Sequence, residues 1–176
     1  MSDLTTRAAT AADAEAIAGI YAGEVLNGTA TFEVIPPDAA EMALRMAKIT
    51  GGGMPFLVAE RAGEVVGYAY AGPYHVRPAY RNTVEDSIYI AADARGTGVG
   101  GTLLGALIAL CTAGEFRQMI ALIGVAGNAA SIRLHKAAGF EHVGILKSVG
   151  YKHTRWLDVV LMQRALGAGA SGPPAG

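Results

Sequence analysis

Residues 93–104 read DARGTGVGGTLL. They follow the β-branched and aromatic run VEDSIYIA and precede the apolar run TLLGALIALC. A strand therefore passes through a glycine-rich turn straight into a helix. The next apolar run, QMIALIGV, is nearly continuous, as in a strand covered on both faces. Together these segments make a βαβ unit between residues 84 and 125, with two parallel strands and a crossover helix. The turn also has a chemical consequence. Free backbone N–H groups at a helix N-terminus, approached over bare glycine, favour a phosphate or pyrophosphate.

The glycines admit two parsings. Gly96, Gly98 and Gly101 spell the dinucleotide fingerprint G-x-G-x-x-G, whereas Arg95, Gly98 and Gly100 spell Arg-x-x-Gly-x-Gly. The dinucleotide parsing requires an acidic residue about 20 positions on, at the end of the next strand, to hold a ribose. Here that strand, Gln118 to Val125, is followed by Ala126, Gly127 and Asn128, and no acid appears before Glu141. The fingerprint also usually opens a doubly wound sheet, and here antiparallel strands precede it. A turn that binds nothing stays open on this evidence.

The rest of the chain completes a single mixed α/β (α+β) domain. Leu4 to Arg7 reads as a first strand. Thr10 and Asp13 flank a helix start, after which Ile17, Tyr21 and Val25 recur on one face. NGTATFEVIPP is a loop, Asp38 with Glu41 resembles a capping box, and Gly51, Gly52 and Gly53 end the second helix. PFLVAE and EVVGYAYA form a hairpin, followed by the polar and aromatic loop GPYHVRPAYRNT. Asn128 opens a helix that Gly139 closes, and two strands follow, roughly His142 to Val149 and Trp156 to Met162. Residues 1–166 are expected to form the domain, with 167–176 a flexible tail.

Two motifs in order then carry a resemblance. Arg95-Gly96-Thr97-Gly98-Val99-Gly100 resembles the pyrophosphate loop of the GNAT family of acetyl-CoA-dependent N-acetyltransferases. NAASIRLHKAAGF, residues 128–140, resembles that family's second signature. TATFE, YHVRPAYRNTVEDSIYI and GYKHTRWLDVVLMQR further resemble the phosphinothricin and methionine sulfoximine N-acetyltransferase branch. The resemblance implies a GNAT fold: one mostly antiparallel sheet, helices on both faces, splayed where acetyl-CoA enters. It also implies a homodimer and transfer of acetyl to the α-amine of a small amino-acid-like substrate. Acetylation of protein N-termini or polyamines, or a non-catalytic acyl-CoA-binding module, remain alternatives.

An α-ammonium must lose a proton before it attacks a thioester, so a base is needed, directly or through water. Glu85 stands at the family's proposed base position. Asp86 points to the opposite face by strand alternation and is the weaker choice. The resemblance gives the main chain of Ile88, Tyr89 and Ile90 to pantetheine, and the amides from Gly96 to Gly101 with the Thr102 hydroxyl to pyrophosphate. Asn128, Ser131 and His135 follow as further acetyl-CoA contacts. Many relatives place a tyrosine at the His135 position to protonate the departing thiolate, so either His135 or solvent would supply that proton here. The expected substrate residues are Phe32, Tyr74, His75, Val76, Arg77, Arg81, Val84, Glu85 and Asp86. The two arginines would grip carboxylate and acidic groups as forks. Tyr80 lies in the same loop, Glu33 with Phe32 would wall the same pocket, and Tyr151, Lys152 and Trp156 would come from the partner edge of the site.

Several classes are disfavoured. Net charge is −1 and no basic block exists, so nothing predicts nucleic-acid binding. The single cysteine, Cys111, sits in an apolar run and reads as core rather than as an acyl carrier. The four histidines lack paired metal-ligand spacing. No basic-then-apolar leader and no apolar run near 20 residues appears, so a cytoplasmic, membrane-free enzyme is expected.

Overall fold

The computed structural model describes residues 4–124 and 128–174. Expectations that fall on Val125, at the end of the fifth strand, and on residues 175–176 of the tail lie outside them.

The chain runs β1 (Leu4–Ala8), α1 (Ala14–Asn27), α2 (Ala39–Gly51), β2 (Phe56–Arg61), β3 (Glu64–Pro73), β4 (Thr83–Ile90), α3 (Val99–Ala113), β5 (Gln118–Gly124), α4 (Ala129–Ala137), β6 (Glu141–Lys152) and β7 (Arg155–Ala165). One seven-stranded sheet has the order β1-β2-β3-β4-β5-β7-β6. Every neighbouring pair is antiparallel except β4 and β5, the parallel pair joined through α3.

Alternation along β4 sends its side chains to two separate cores. Val84, with Ile88 and Ile90, meets the cluster built on α3, where Leu103, Leu104 and Leu107 are fully buried. Tyr89 meets the other cluster, under α1 and α2, with Ile17, Tyr21, Phe56 and Tyr68. Helices therefore cover both faces. α3 is apolar nearly all round because it is the crossover helix of the parallel unit. α2 starts where the Asp38 carboxylate accepts from the Glu41 N–H at 2.8 Å. Before α1, the backbone N–H and side-chain hydroxyl of Thr10 donate to Asp13, whose carboxylate also holds Arg7 at 2.7 Å.

β4 and β5 pair only at Thr83–Gln118, Val84–Met119 and Glu85–Ile120. From Asp86 to Ile90, β4 keeps β3 on one side and has no strand on the other. The sheet opens there as a wedge.

β6 does not stop at Val149. It continues to Lys152 past a register shift between Leu146 and Gly150. Ser148 takes φ of 52°, and the Asp158 carboxylate accepts from the Ser148 N–H at 2.8 Å and from Lys147 Nζ at 2.9 Å. The bulge turns the strand so that both Leu146 and Val149 reach the wedge. Residues 167–174, expected to be a flexible tail, are held in part. Arg117 Nε and Nη2 donate to the carbonyls of Gly169 and Gly172, each at 2.9 Å. Among the described residues, no helix is long and apolar enough to cross a membrane.

Candidate active site

Two adjoining cavities occupy the wedge, one of about 430 Å³ and one of about 450 Å³. The first lies over the N-terminus of α3 and is walled by Ile88 and Ile90, the glycine turn and the start of α4. Gly96 and Gly98 adopt φ of +74° and +91°, a region that side chains strain to enter. Gly96 is therefore required by the turn itself, and not only by a motif. A Cβ at Gly96, Gly98 or Gly101 would meet nothing within 4 Å, so these positions face open space. Gly100 is glycine for another reason: its Cβ would come within 3.1 Å of Leu134 where α3 and α4 cross. The first helical hydrogen bond here runs from Thr102 N–H to Gly98, so the amides of Val99, Gly100 and Gly101 precede the ladder. An open, glycine-lined cradle with unladdered amides fits a pyrophosphate group.

The side chains around that cradle sort differently from the sequence-based expectation. Val99 is 1% exposed, so it has only its amide to offer. The Thr97 hydroxyl donates to Ala94 O at 2.7 Å and accepts from Arg61, while the Thr102 hydroxyl donates to Gly98 O. Arg95 does not hang free: it is ion-paired with Glu24 on α1, which also lines the cavity. Glu24 and Arg61 brace the loop, and neither was marked by any motif, because both reach it across the fold. Tyr89 packs edge-on to Tyr21 at 5.0 Å, so its side chain is core and only its main chain borders the wedge. Asn128 does not cap α4 with its side chain. Its Nδ2 donates backwards to Gly124 O at 2.8 Å, tying the start of α4 to the end of β5.

The second cavity brings Phe32, Glu85, Asp86, Ser131 and His135 together. Glu85 projects to the α1–α2 side. Burial, with the adjacent negative charge of Asp86, pushes its carboxyl up to about 6. Among the described residues Glu85 has no ion pair, so it can accept a proton at neutral pH. Asp86 turns to the other side, against His135 at 2.9 Å, and does not face the acceptor side. Phe32 closes the top. Its ring lies against Gly150, where a Cβ would come within 2.6 Å of it, while Thr29 O lies where a Gly124 Cβ would go, 2.3 Å away. Both glycines let the loop after α1 descend onto the sheet.

Lys152, expected at the partner edge of the site, supports that loop within its own chain. It is 4% exposed, and its Nζ donates to Thr31 O at 2.8 Å and Glu24 O at 3.1 Å. Burial lowers its basicity, with Glu24 opposing. His153 reaches Gly28 O beside it. Glu33 is committed to Arg45 at 2.7 Å and to the Tyr21 hydroxyl at 2.9 Å. Tyr151 and Trp156 pair edge-on at the surface.

The rest of the expected substrate set does not line either cavity. Val84 is fully buried in the α3 core. Tyr74, His75, Val76, Arg77 and Arg81 ride the connection from β3 to β4, where Tyr74, His75 and Tyr80 pack on one another and Val76 is 98% exposed. The loop leaves from the ends of β3 and β4, which point away from the wedge, so its arginines stand in solvent. Cys111 is fully buried, and burial with the Asp86 charge pushes its thiol up to about 12, too high for a nucleophile.

Comparison with known proteins agrees with this geometry. The family described as acetyltransferase (GNAT) domain matches residues 6–161. A phosphinothricin N-acetyltransferase of Alcaligenes faecalis is 58% identical over 89% of this chain and 80% of its own length. An L-methionine sulfoximine/L-methionine sulfone acetyltransferase of Pseudomonas paraeruginosa is 42% identical over 95% of this chain and 97% of its own length. The crystal structure of a GNAT superfamily phosphinothricin acetyltransferase from Sinorhizobium meliloti in complex with AcCoA superposes with a TM-score of 0.95 at 53% identity, covering 99% of this chain and 94% of that one. With the splayed β4–β5 wedge, the open glycine cradle and this match along most of its length, the chain belongs to the GNAT acetyltransferases.

Proposed function

We propose that the protein transfers acetyl from acetyl-CoA to the α-amine of a small amino-acid-like substrate of the phosphinothricin, methionine sulfoximine and methionine sulfone type. The observation that carries this is Glu85: a carboxylate raised to about 6, without an ion pair among the described residues, in the cavity that adjoins the pyrophosphate cradle. The relatives named above act on such amino acids.

Acetyl-CoA supplies an activated acetyl thioester and an anionic pyrophosphate arm. The amides of residues 96–101 would hold the pyrophosphate, with Arg95 and Asn128 at the borders of that cavity. The unpaired edge of β4 from Asp86 to Ile90 offers main-chain N–H groups to a carbonyl oxygen. Glu85 accepts the proton of the ammonium, directly or through water, and Phe32 closes the acceptor side against solvent. Arg77 and Arg81 stand apart from this cavity, so we assign acceptor recognition to its walls and keep the arginine clamp as a secondary possibility for an assembled dimer.

We also propose that two copies associate through β6. It is the last strand of the sheet, and Val143, Ile145, Val149 and the Tyr151–Trp156 pair are more than half exposed or nearly so. An open edge flanked by apolar side chains favours pairing with another chain. The enzyme would work in the cytoplasm, where its donor is made.

The test is a panel of acceptors incubated with acetyl-CoA, following free thiol release and the mass of the product. Phosphinothricin, methionine sulfoximine and methionine sulfone should each gain one acetyl group. Turnover on peptide N-termini or polyamines alone would overturn the assignment, and stoichiometric acetyl-CoA binding without any thiol release would point to a binding module.

A further inference from the structure

Two carboxylates stand side by side on β4 and face opposite ways. Glu85 faces the acceptor side. The Asp86 side chain is only 2% exposed, and its Oδ2 lies 2.9 Å from Nε2 of His135, itself equally buried. On the far side of the ring, Nδ1 lies 2.8 Å from the main-chain oxygen of Ser131, whereas the Ser131 hydroxyl is 3.4 Å away. The edge of the Phe140 ring closes over His135 at 5.0 Å between centroids.

A proton inventory follows from these partners. A carbonyl oxygen only accepts, so Nδ1 must carry a hydrogen. A neutral ring would then present a lone pair at Nε2 to a carboxylate oxygen 2.9 Å away. Two acceptors do not rest at that distance with nothing between them, so a second proton lies between Nε2 and Oδ2.

We propose that Asp86 is a positioning residue for this reaction: it holds His135 as a doubly protonated, donor-only ring in the wall of the second cavity, which removes His135 as a base and leaves the acceptor's proton to Glu85.

The proposal rests on the acetyltransferase reading for its consequence, but the pair itself is set by geometry. Asp86 Oδ1 is buried without a partner, so the carboxylate is not fully neutralised by hydrogen bonds. Its residual charge falls on its neighbour Glu85 and helps keep that carboxyl basic. Among the described residues, Tyr70 on β3 lines the same cavity and Cys111 lies on α3; burial raises both, so both stay neutral. For His135, burial alone would lower its basicity, but the bond to Asp86, the Asp86 charge and the Ser131 carbonyl outweigh burial and raise it. A ring held in this way would be inert as a shuttle, since each N–H is already spent on a buried acceptor.

The experiment is long-range ¹H–¹⁵N correlation of protein labelled in its histidine rings, from pH 6 to pH 9. His135 is assigned through its contact with the Phe140 ring. Both of its ring nitrogens should keep protonated shifts throughout. In Asp86→Asn, His135 should become a neutral Nδ1–H ring, with its Nε2 losing the protonated shift. A His135 that titrates between pH 6 and 7 in the wild type, or one that Asp86→Asn leaves unaltered, overturns the proposal. The wild-type spectra decide the matter even if the variant does not fold. They need no substrate, so a failed pair and a failed acetyltransferase assignment give different results.

Discussion

The ring of Phe32 rests on Gly150, two segments more than a hundred residues apart in sequence, and a single added Cβ at Gly150 would come within 2.6 Å of Phe32 Cε2. The contact closes the acceptor cavity. It also separates two glycines that look alike on paper. At Gly150 the obstructing atoms belong to an exposed side-chain ring that can swing away, whereas at Gly124 the obstruction is Thr29 O, which is backbone.

Gly150→Ala should therefore leave stability within about 1 kcal/mol of wild type and raise the acceptor KM about 10-fold, with the acetyl-CoA KM unchanged. Gly124→Ala should instead cost about 1–3 kcal/mol, because the loop after α1 must move as a whole. Urea unfolding and initial-rate kinetics on both variants test the contrast. Equal stability losses would show that Phe32 is not free to yield.

Glu85→Gln should lower kcat about 10²- to 10³-fold, the usual worth of a positioned base, with little change in acetyl-CoA affinity. Wild-type activity should fall as pH drops below about 6, following protonation of Glu85. The sign for stability is the reverse. A carboxyl raised from 4.5 to about 6 is bound more tightly by a proton in the folded chain than in the unfolded one. Its ionisation thus costs nothing below the lower value, and the full cost is present above the upper one. Glu85→Gln should gain up to about 2 kcal/mol at pH 7.5 and nothing at pH 4. Urea midpoints at the two pH values measure this, and a midpoint that falls at pH 7.5 would remove Glu85's cost of burial.

Lys152→Met keeps the stem of the side chain and deletes the ammonium. It takes the Nζ donor from Thr31 O, while Glu24 O keeps the Gly28 N–H. The expected loss is about 1–3 kcal/mol, the cost of an abandoned buried acceptor. Because those carbonyls anchor the loop carrying Phe32, the acceptor KM should rise as well. Normal kinetics in a destabilised protein would confine Lys152 to folding.

Val149→Asp with Trp156→Asp places one charge on β6 and one on the neighbouring β7, at the exposed apolar edge. Light scattering behind size exclusion should show wild type at twice the mass of the chain and the double variant as a monomer, with the monomer's circular dichroism intact. Wild-type protein eluting as a monomer at working concentration would remove the proposed pairing.

Much of this fold is written in local pattern. The change from period-two alternation in VEDSIYI to the apolar helix beyond the glycine turn placed β4, α3 and β5 in order, and Asn128 and Gly139 bracketed α4. The cradle was legible for the same reason: positive φ at Gly96 and Gly98 is a short-range demand that only glycine meets cheaply. Glu85 was named through the resemblance to the family's base position, and the structure adds its burial and raised carboxyl. The bulge in β6 was not, since Ser148 and Asp158 meet only after the hairpin forms. Arg77 and Arg81 show what local pattern leaves undecided. A paired-arginine loop reads as an anion site in any sequence, but the direction in which β3 and β4 end decides where it points.

The sequence by itself determined the order of elements and the phosphate-binding turn, because strand alternation, helix periodicity and glycine dihedrals are settled among near neighbours. Only the tertiary structure decided what the adjacent acids do. Alternation fixes that Glu85 and Asp86 point apart, but it cannot say that α4 sets a histidine 2.9 Å from one of them. Nor can it say that the loop after α1 leaves the other half-buried and, among the described residues, without an ion pair. Burial and partners come from chain segments far away in sequence, and those two quantities set the protonation of both.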